Sequence, residues 1–304
     1  MRGPGDDHER TWRPLMRDVC YNAFLPLGAA LSLKRLQALG RGLGSLMWAA
    51  LPARRRETTT CVRERLGVDE GRARELARES FRHSACSFLE IFHTRQVDPR
   101  FLRDRVEFEN PELFARMSST LRPVVATTAH LGSWELLVGL IGAFSSRSDC
   151  HVVVRLPKDE ELGRMIMHMR SQPGIRILPH RDAATETLGH LRAGGMSAFL
   201  VDHNCKRAEA QFLPFLGEVA AVNKGPAILA LRAKAEVWPC FLLRLPEGRF
   251  RFVTLPCLDT AGLTGSRAER IESICRFYTD AVERMVRMYP EQWFWMHRRW
   301  KTRP

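Results

Sequence analysis

The sequence predicts an α/β protein with a mostly parallel or mixed central sheet flanked by helices and a helical N-terminal extension. Three observations carry that expectation. From residue 123 onward, short apolar β-branched runs alternate with helical patterns of about a dozen residues, which implies right-handed crossovers and a sheet covered on both faces. Upstream, residues 54 to 95 alternate Arg and Glu around Leu66, Leu76, Phe81, Phe88, Leu89 and Phe92 at a helical period. With 304 residues, 45% hydrophobic and 27% charged, the chain is long and apolar enough to bury a sizeable core, so disorder is excluded as its main state.

In order along the chain, Met1 to Arg17 is polar and mixed in charge, unlike a signal peptide, and export is disfavoured. Val19 to Leu33 and Gly42 to Ala53 carry no charge, yet both fall short of the ~20 residues that cross a bilayer. They read either as amphipathic helices packed on the domain or as a monotopic element in the lipid interface beside Arg54, Arg55 and Arg56. Residues 54 to 95 form two helices with a charged outer face. Strands are then expected at 123–128, 151–155, 175–178 and 197–202, and helices at 133–144, 159–171 and 183–192. After Asn223 as N-cap, 226–234 is helical, and 236–245 and 249–255 bracket Pro246 to Gly248 as a hairpin. A long helix from Arg267 to Met288 stops at Pro290. With no repeat, no linker and no break in composition, the chain divides into a helical, membrane-associating extension over 1–95 and one continuous α/β unit over 96–304.

Charge narrows the partners. Against 34 acidic residues stand 47 basic ones, mostly arginine, for a net charge of +13, and a basic surface of this size expects nucleic acid, anionic lipid or an acidic carrier protein. No nucleic-acid-binding module is present, so nucleic acid is excluded. The segment Trp293 to Trp300 interleaves aromatic and basic residues, which suits a membrane interface or a tail that packs Trp293 and Trp295 into the core. Eight cysteines without a close pair suggest neither a disulfide framework nor a zinc ribbon, and they read as reduced thiols of a cytoplasmic protein.

In an open parallel sheet the strand C-termini share one crevice, so polar residues just after apolar strands are the first site candidates. His130, Arg155 and Asp202 meet that condition. The sharpest signal is His130-Leu-Gly-Ser-Trp-Glu135 leading into an apolar helix. Five residues apart on one helix, His and Glu would sit ~140° apart, so the spacing works only with His130 on the loop and Glu135 in the first turn. Gly132 permits the sharp entry, Ser133 can cap, and Glu135 complements the positive helix end. The Glu135 carboxylate is then expected to hold one imidazole nitrogen while the other removes a proton from a hydroxyl. The bland alternative is a capping glutamate beside a structural histidine.

This motif, after an apolar strand, resembles that of the glycerolipid acyltransferase superfamily, and the version here is similar to its bacterial lipid A biosynthesis branch, the late or secondary acyltransferases. The likeness extends to Arg155 at the end of the next strand, Arg170 ahead of Gly174, Asp202 after a later strand, the aromatic-Gly loop Phe212 to Gly217, the helix Gly225 to Ala230, Trp238-Pro239 and the ending Tyr289 to Trp300. Asp202 is followed by His203 where glutamine is common, and the E-G-T-R-like motif of phosphatidic-acid-forming relatives is missing, which argues against a plain glycerol-phosphate acceptor.

The resemblance implies transfer of an acyl chain from acyl-carrier protein, or from acyl-CoA, to a hydroxyl of a lipid A precursor or related glycolipid. His130 and Glu135 would be catalytic, and Arg155, Arg170 and Asp202 would bind substrate. Backbone N–H groups near Gly132 are the expected oxyanion donors. Neither a cofactor nor a metal is required, and the expected location is the cytoplasmic face of the bacterial inner membrane, bound peripherally or monotopically to an anionic surface. An acyltransferase acting on another glycolipid, such as a phosphatidylinositol mannoside, and a catalytically idle basic lipid-binding protein are the alternatives.

Overall fold

A computed structural model of the chain describes residues 25–144, 150–157, 159–171, 174–180 and 183–304. The expectations for Met1 to Arg17, Cys20 and the first part of the Val19 to Leu33 stretch lie outside the described residues.

The described residues open with four helices, α1 (Leu25–Ala30), α2 (Leu33–Ala50), α3 (Pro52–Leu66) and α4 (Glu70–Glu90). Their ends follow local chemistry. Pro52 occupies the first turn of α3, where a missing N–H costs nothing, and Gly67 closes it at φ 65°. Asp69 caps α4 by accepting from the Arg72 N–H at 2.9 Å. A 3₁₀ turn over Ile91–Gln96 leads to α5 (Pro99–Arg105), β1 (Val106–Phe108) and α6 (Pro111–Ser119), three short elements that sequence periodicity is too brief to reveal.

The expected alternation follows as β2 (Val124–Thr128), α7 (Trp134–Phe144), β3 (Cys150–Val154), α8 (Glu160–Arg170), β4 (Ile175–Pro179), α9 (Ala183–Arg192) and β5 (Met196–Leu200). A hairpin of β6 (Ala210–Phe215) and β7 (Glu218–Asn223) stands where an aromatic-Gly loop was expected. Leu216 and Gly217, at φ 51° and 77°, make the tight two-residue turn that joins antiparallel strands. The chain ends with α10 (Gly225–Ala233), β8 (Glu236–Arg244), β9 (Phe250–Thr254), β10 (Leu258–Asp259) and α11 (Arg267–Met288). Ser266 and Glu269 form a reciprocal capping box at the start of α11. Lys224 rather than Asn223 precedes α10, while the Asn223 carboxamide accepts from the Gly225 N–H at 2.8 Å.

The main sheet runs β1-β9-β8-β2-β5-β3-β4, with β10 also on β8. The stretch β8-β2-β5-β3-β4 is parallel, and β9 and β10 pair antiparallel with β8. Alternate strand residues feed two cores. Val125, Val237, Phe241 and Leu243 face Val62, Leu76 and Phe81 of the N-terminal helices together with Val282 and Val286 of α11. Val124, Ala126, Trp238 and Leu242 face Leu136, Leu137, Leu140 and Ile141 of α7.

Register positions the site. Thr128 lies level with Leu200 in the β2–β5 ladder, and the Val201 N–H donates to the Thr128 carbonyl at 2.9 Å. His130 and Asp202, each two residues beyond its strand, are thereby brought side by side at the C-terminal edge.

Candidate active site

The loop from β2 to α7 turns so sharply that only glycine fits at 132. Gly132 has φ 66°, and a Cβ there would lie 2.1 Å from the Leu242 carbonyl oxygen. Four consecutive backbone N–H groups of the loop are committed. His130 N donates to Asp202 Oδ2 at 2.9 Å, Leu131 N to Ala129 O at 2.7 Å, Gly132 N to Gln292 O at 3.1 Å and Ser133 N to Leu242 O at 2.7 Å. The N–H groups of residues 130 to 133, among the expected oxyanion donors near Gly132, are therefore occupied. Ser133 stands at the cap position, where its carbonyl accepts from Leu137 N, but its hydroxyl has no partner and does not cap the helix.

His130 Nδ1 pairs with Asp202 Oδ1 at 2.9 Å, so Asp202 rather than Glu135 holds the ring. Trp293 Nε1 donates to Asp202 Oδ2 at 2.8 Å, and His297 Nε2 meets the Asp202 backbone carbonyl at 3.1 Å. The Asp202 side chain is fully buried, while the His130 side chain keeps 26% of its surface exposed, and no hydrogen bond engages its Nε2 among the described residues. Burial works against a charged imidazole, but the Asp202 charge and hydrogen bond outweigh it, Glu135 adds to them, Arg170 opposes, and the His130 pKa is raised overall. Burial would raise the Asp202 pKa; His130, His297 and the Trp293 N–H hold it far below the usual carboxylate range instead. Burial pushes His297 down to about 4 against the pull of Asp202.

Glu135, in the first turn of α7, is buried and takes both Arg170 Nε at 2.8 Å and Nη2 at 2.5 Å, a bidentate pair that joins α7 to the last turn of α8. It acts on His130 through charge and not by contact. No hydrogen bond engages Arg170 Nη1 among the described residues, and 16% of the side chain is exposed. Arg155 follows β3 and is exposed, and no described hydrogen bond or ion pair joins it to this cluster. His203 has its pKa lowered by burial, with Asp202 offsetting part of that effect.

Aromatic rings wall the exposed side of the imidazole. Trp134 stands edge-on with its centroid 5.5 Å from His130, and Phe294 and His297 lie at 6.1 Å and 6.3 Å. Phe88 meets Trp134 edge-on at 5.5 Å and Phe294 at 5.7 Å, and it is 47% exposed at the rim. Trp293 and Trp295 are buried in the core, as one reading of the tail had it. Sequence reasoning missed Trp293 and His297 as partners of Asp202; the density of aromatic and basic residues in the tail was the available signal. Among the described residues no cluster of His, Cys, Asp and Glu has the makings of a metal site.

A partly exposed histidine whose inner nitrogen is locked on a buried aspartate, at the C-terminal edge of a mostly parallel α/β sheet, has the form of a general-base site. The family model for bacterial lipid A biosynthesis acyltransferase matches residues 8–302, and the chain belongs to that family. A lipid A biosynthesis lauroyltransferase from Escherichia coli (strain K12) is 31% identical over 116 residues, covering 38% of this chain and 36% of that protein. The chain thus matches about a third of that relative's length. The crystal structure of the 1-acyl-sn-glycerophosphate (LPA) acyltransferase PlsC from Thermotoga maritima shares 16% identity over 86% of this chain and 99% of that one, at a TM-score of 0.40, too loose a superposition to carry an argument.

Proposed function

We propose that the protein transfers an acyl chain from acyl-carrier protein, or from acyl-CoA, to a hydroxyl of a lipid A precursor or related glycolipid. The observation that carries this reading is the His130 ring itself, with Nδ1 held by Asp202 and Nε2 without a hydrogen bond among the described residues, beside an aromatic rim. Nε2 takes the proton of the acceptor hydroxyl as its oxygen attacks the thioester carbonyl. The tetrahedral intermediate then expels the thiolate, which takes the proton back from Nε2, so the enzyme ends as it began and needs no covalent intermediate. Asp202 fixes the Nδ1–H tautomer and stabilises the imidazolium between the two transfers, the part first given to Glu135.

Glu135 orients Arg170, whose remaining donor and positive charge serve a phosphate or carbohydrate oxygen of the acceptor. Arg155, exposed at the end of β3, would contact substrate only at the outer margin. The apolar face formed by Phe88, Trp134 and Phe294 suits an acyl chain.

Neither a cofactor nor a metal enters these steps. The acceptor is reached at an anionic membrane surface, on the cytoplasmic face of the bacterial inner membrane. Support comes from α2, where Leu39, Leu43 and Leu46 form one outward ridge at 54%, 42% and 64% exposure, with Leu51 also exposed just past the helix end. Exposed Arg35 borders that ridge and Arg54 to Arg56 follow the helix, as expected of an interfacial helix beside anionic headgroups. No helix among the described residues is long and apolar enough to cross a membrane.

The decisive assay supplies labelled acyl-carrier protein, or acyl-CoA, with candidate glycolipid acceptors and separates products by thin-layer chromatography. Label on a lipid A precursor supports the proposal, label only on a phosphatidylinositol mannoside reassigns the acceptor, and no transfer at all favours an idle lipid-binding protein.

A further inference from the structure

Beneath the loop that carries His130 lies an ion pair that the reaction above does not use. Arg244 at the end of β8 and Glu90 at the end of α4 are both buried, joined by Nε to Oε1 at 2.9 Å and Nη2 to Oε2 at 2.6 Å. Arg244 Nη2 also donates to Ser87 Oγ at 2.8 Å, and Nη1 meets His83 Nδ1 at 2.8 Å. Accepting that bond requires a neutral ring, and burial, followed by the Arg244 charge, lowers the His83 pKa well below its ordinary value. Gln37 of α2 completes the group by donating to Glu90 Oε1 at 2.7 Å.

These atoms converge on one peptide. The Gly132 carbonyl accepts from the Ser87 hydroxyl and lies 3.5 Å from Arg244 Nη2; the His83 carbonyl, at 3.1 Å, is the alternative acceptor for the same hydroxyl. On the other side Gly132 N donates to the Gln292 backbone carbonyl, and the Gln292 side-chain carboxamide accepts from the Arg244 backbone N–H at 2.9 Å and donates to the Arg244 backbone carbonyl at 3.0 Å. A buried ion pair is a poor source of net stability, because desolvation offsets most of the attraction. What it supplies here is direction. We infer that Arg244, Glu90 and Ser87 are positioning residues that set the Gly132 peptide, and through it the placement of His130 against the start of α7. The inference rests on the proposed acyl transfer only in its kinetic part.

Arg244→Gln would strand the Glu90 charge in the interior and report on folding, so the test uses Ser87→Ala in the full chain, which deletes one hydroxyl. The control is Ser84→Ala, on the same helix and equally buried, whose hydroxyl has no partner. Measured on each are kcat and KM with acyl-carrier protein and glycolipid, the melting temperature, and amide hydrogen exchange at Gly132 and Ser133. Relative to the control, Ser87→Ala should lower kcat about 10-fold at unchanged KM, as a small misplacement of a reacting group does. Exchange should quicken at Gly132 and Ser133 and stay unchanged in β2 and α4. Equal kcat in the two variants would overturn the inference, as would a loss accompanied by faster exchange throughout α4. If the parent protein transfers no acyl chain, exchange alone decides: faster exchange confined to the loop upholds the positioning role, and unchanged exchange refutes it.

Discussion

His130 stands between two buried carboxylates that the fold employs differently. Asp202 comes from the strand beside it and touches the imidazole directly, with Trp293 holding its second oxygen. Glu135 comes from the same local motif as His130, yet both of its oxygens are taken by Arg170. One acid governs the tautomer and the other governs an arginine. Closeness in sequence is thus a poor guide to which group a side chain serves; the β2–β5 register, pairing Thr128 with Leu200, is what decides it.

The largest expected effect breaks both halves of this comparison at once. His130→Ala removes the proposed base and should cut turnover ~100-fold or more with the fold intact, as followed by kcat and circular dichroism. A variant with near-normal turnover would remove the basis for assigning either acid a role.

Gly132→Ala acts on the loop that separates the two acids. The new Cβ would press on the Leu242 carbonyl at a left-handed φ, so the melting temperature should fall by many degrees and activity with it. A melting curve equal to the parent's would show that the turn relaxes.

Less drastic is acidity. The base must be neutral, and the His130 pKa is raised, so kcat/KM should fall as pH drops through a value above the ordinary ~6.5 for histidine. An acid limb below that value would contradict the ascribed dominance of Asp202 over burial.

The smallest effect on chemistry is expected at the exposed ridge of α2. Replacing Leu39, Leu43 and Leu46 with Gln should reduce sedimentation with anionic vesicles while sparing transfer to detergent-dispersed acceptor, and raised salt should weaken what binding remains. Unchanged sedimentation would shift the anchor elsewhere, with the segment around Trp293 to Trp300 the next candidate.

Much of the fold was legible because its elements are long or strongly patterned. The helix from Arg267 to Met288 and the helix Ala183–Arg192 have the expected bounds, since a capping serine, a closing proline and a clean apolar stripe mark them. The β6–β7 hairpin was not, because Leu216 offers no turn signal where Asn or Gly would, and only Gly217 hints at the reversal. In the site, His130, Glu135, Arg170 and Asp202 were all singled out, but their pairing was not. Pairing depends on strand order and register among segments up to 91 residues apart, as with Trp293 and Asp202, and no local spacing encodes that. Arg155 met the rule of a polar residue after a strand as well as His130 did, and its side chain faces solvent instead.

The central claim, that Asp202 and not Glu135 holds the catalytic ring, is tested most directly by the pH profile of kcat/KM for Asp202→Asn and Glu135→Gln side by side. Losing the carboxylate in contact with Nδ1 should lower kcat ~100-fold or more and move the acid limb to lower pH, because the charge that raises the His130 pKa is gone. Glu135→Gln should move the limb in the same direction by less and slow turnover less, since its influence on the ring is through charge alone. A larger shift and a larger loss in Glu135→Gln than in Asp202→Asn would contradict the account.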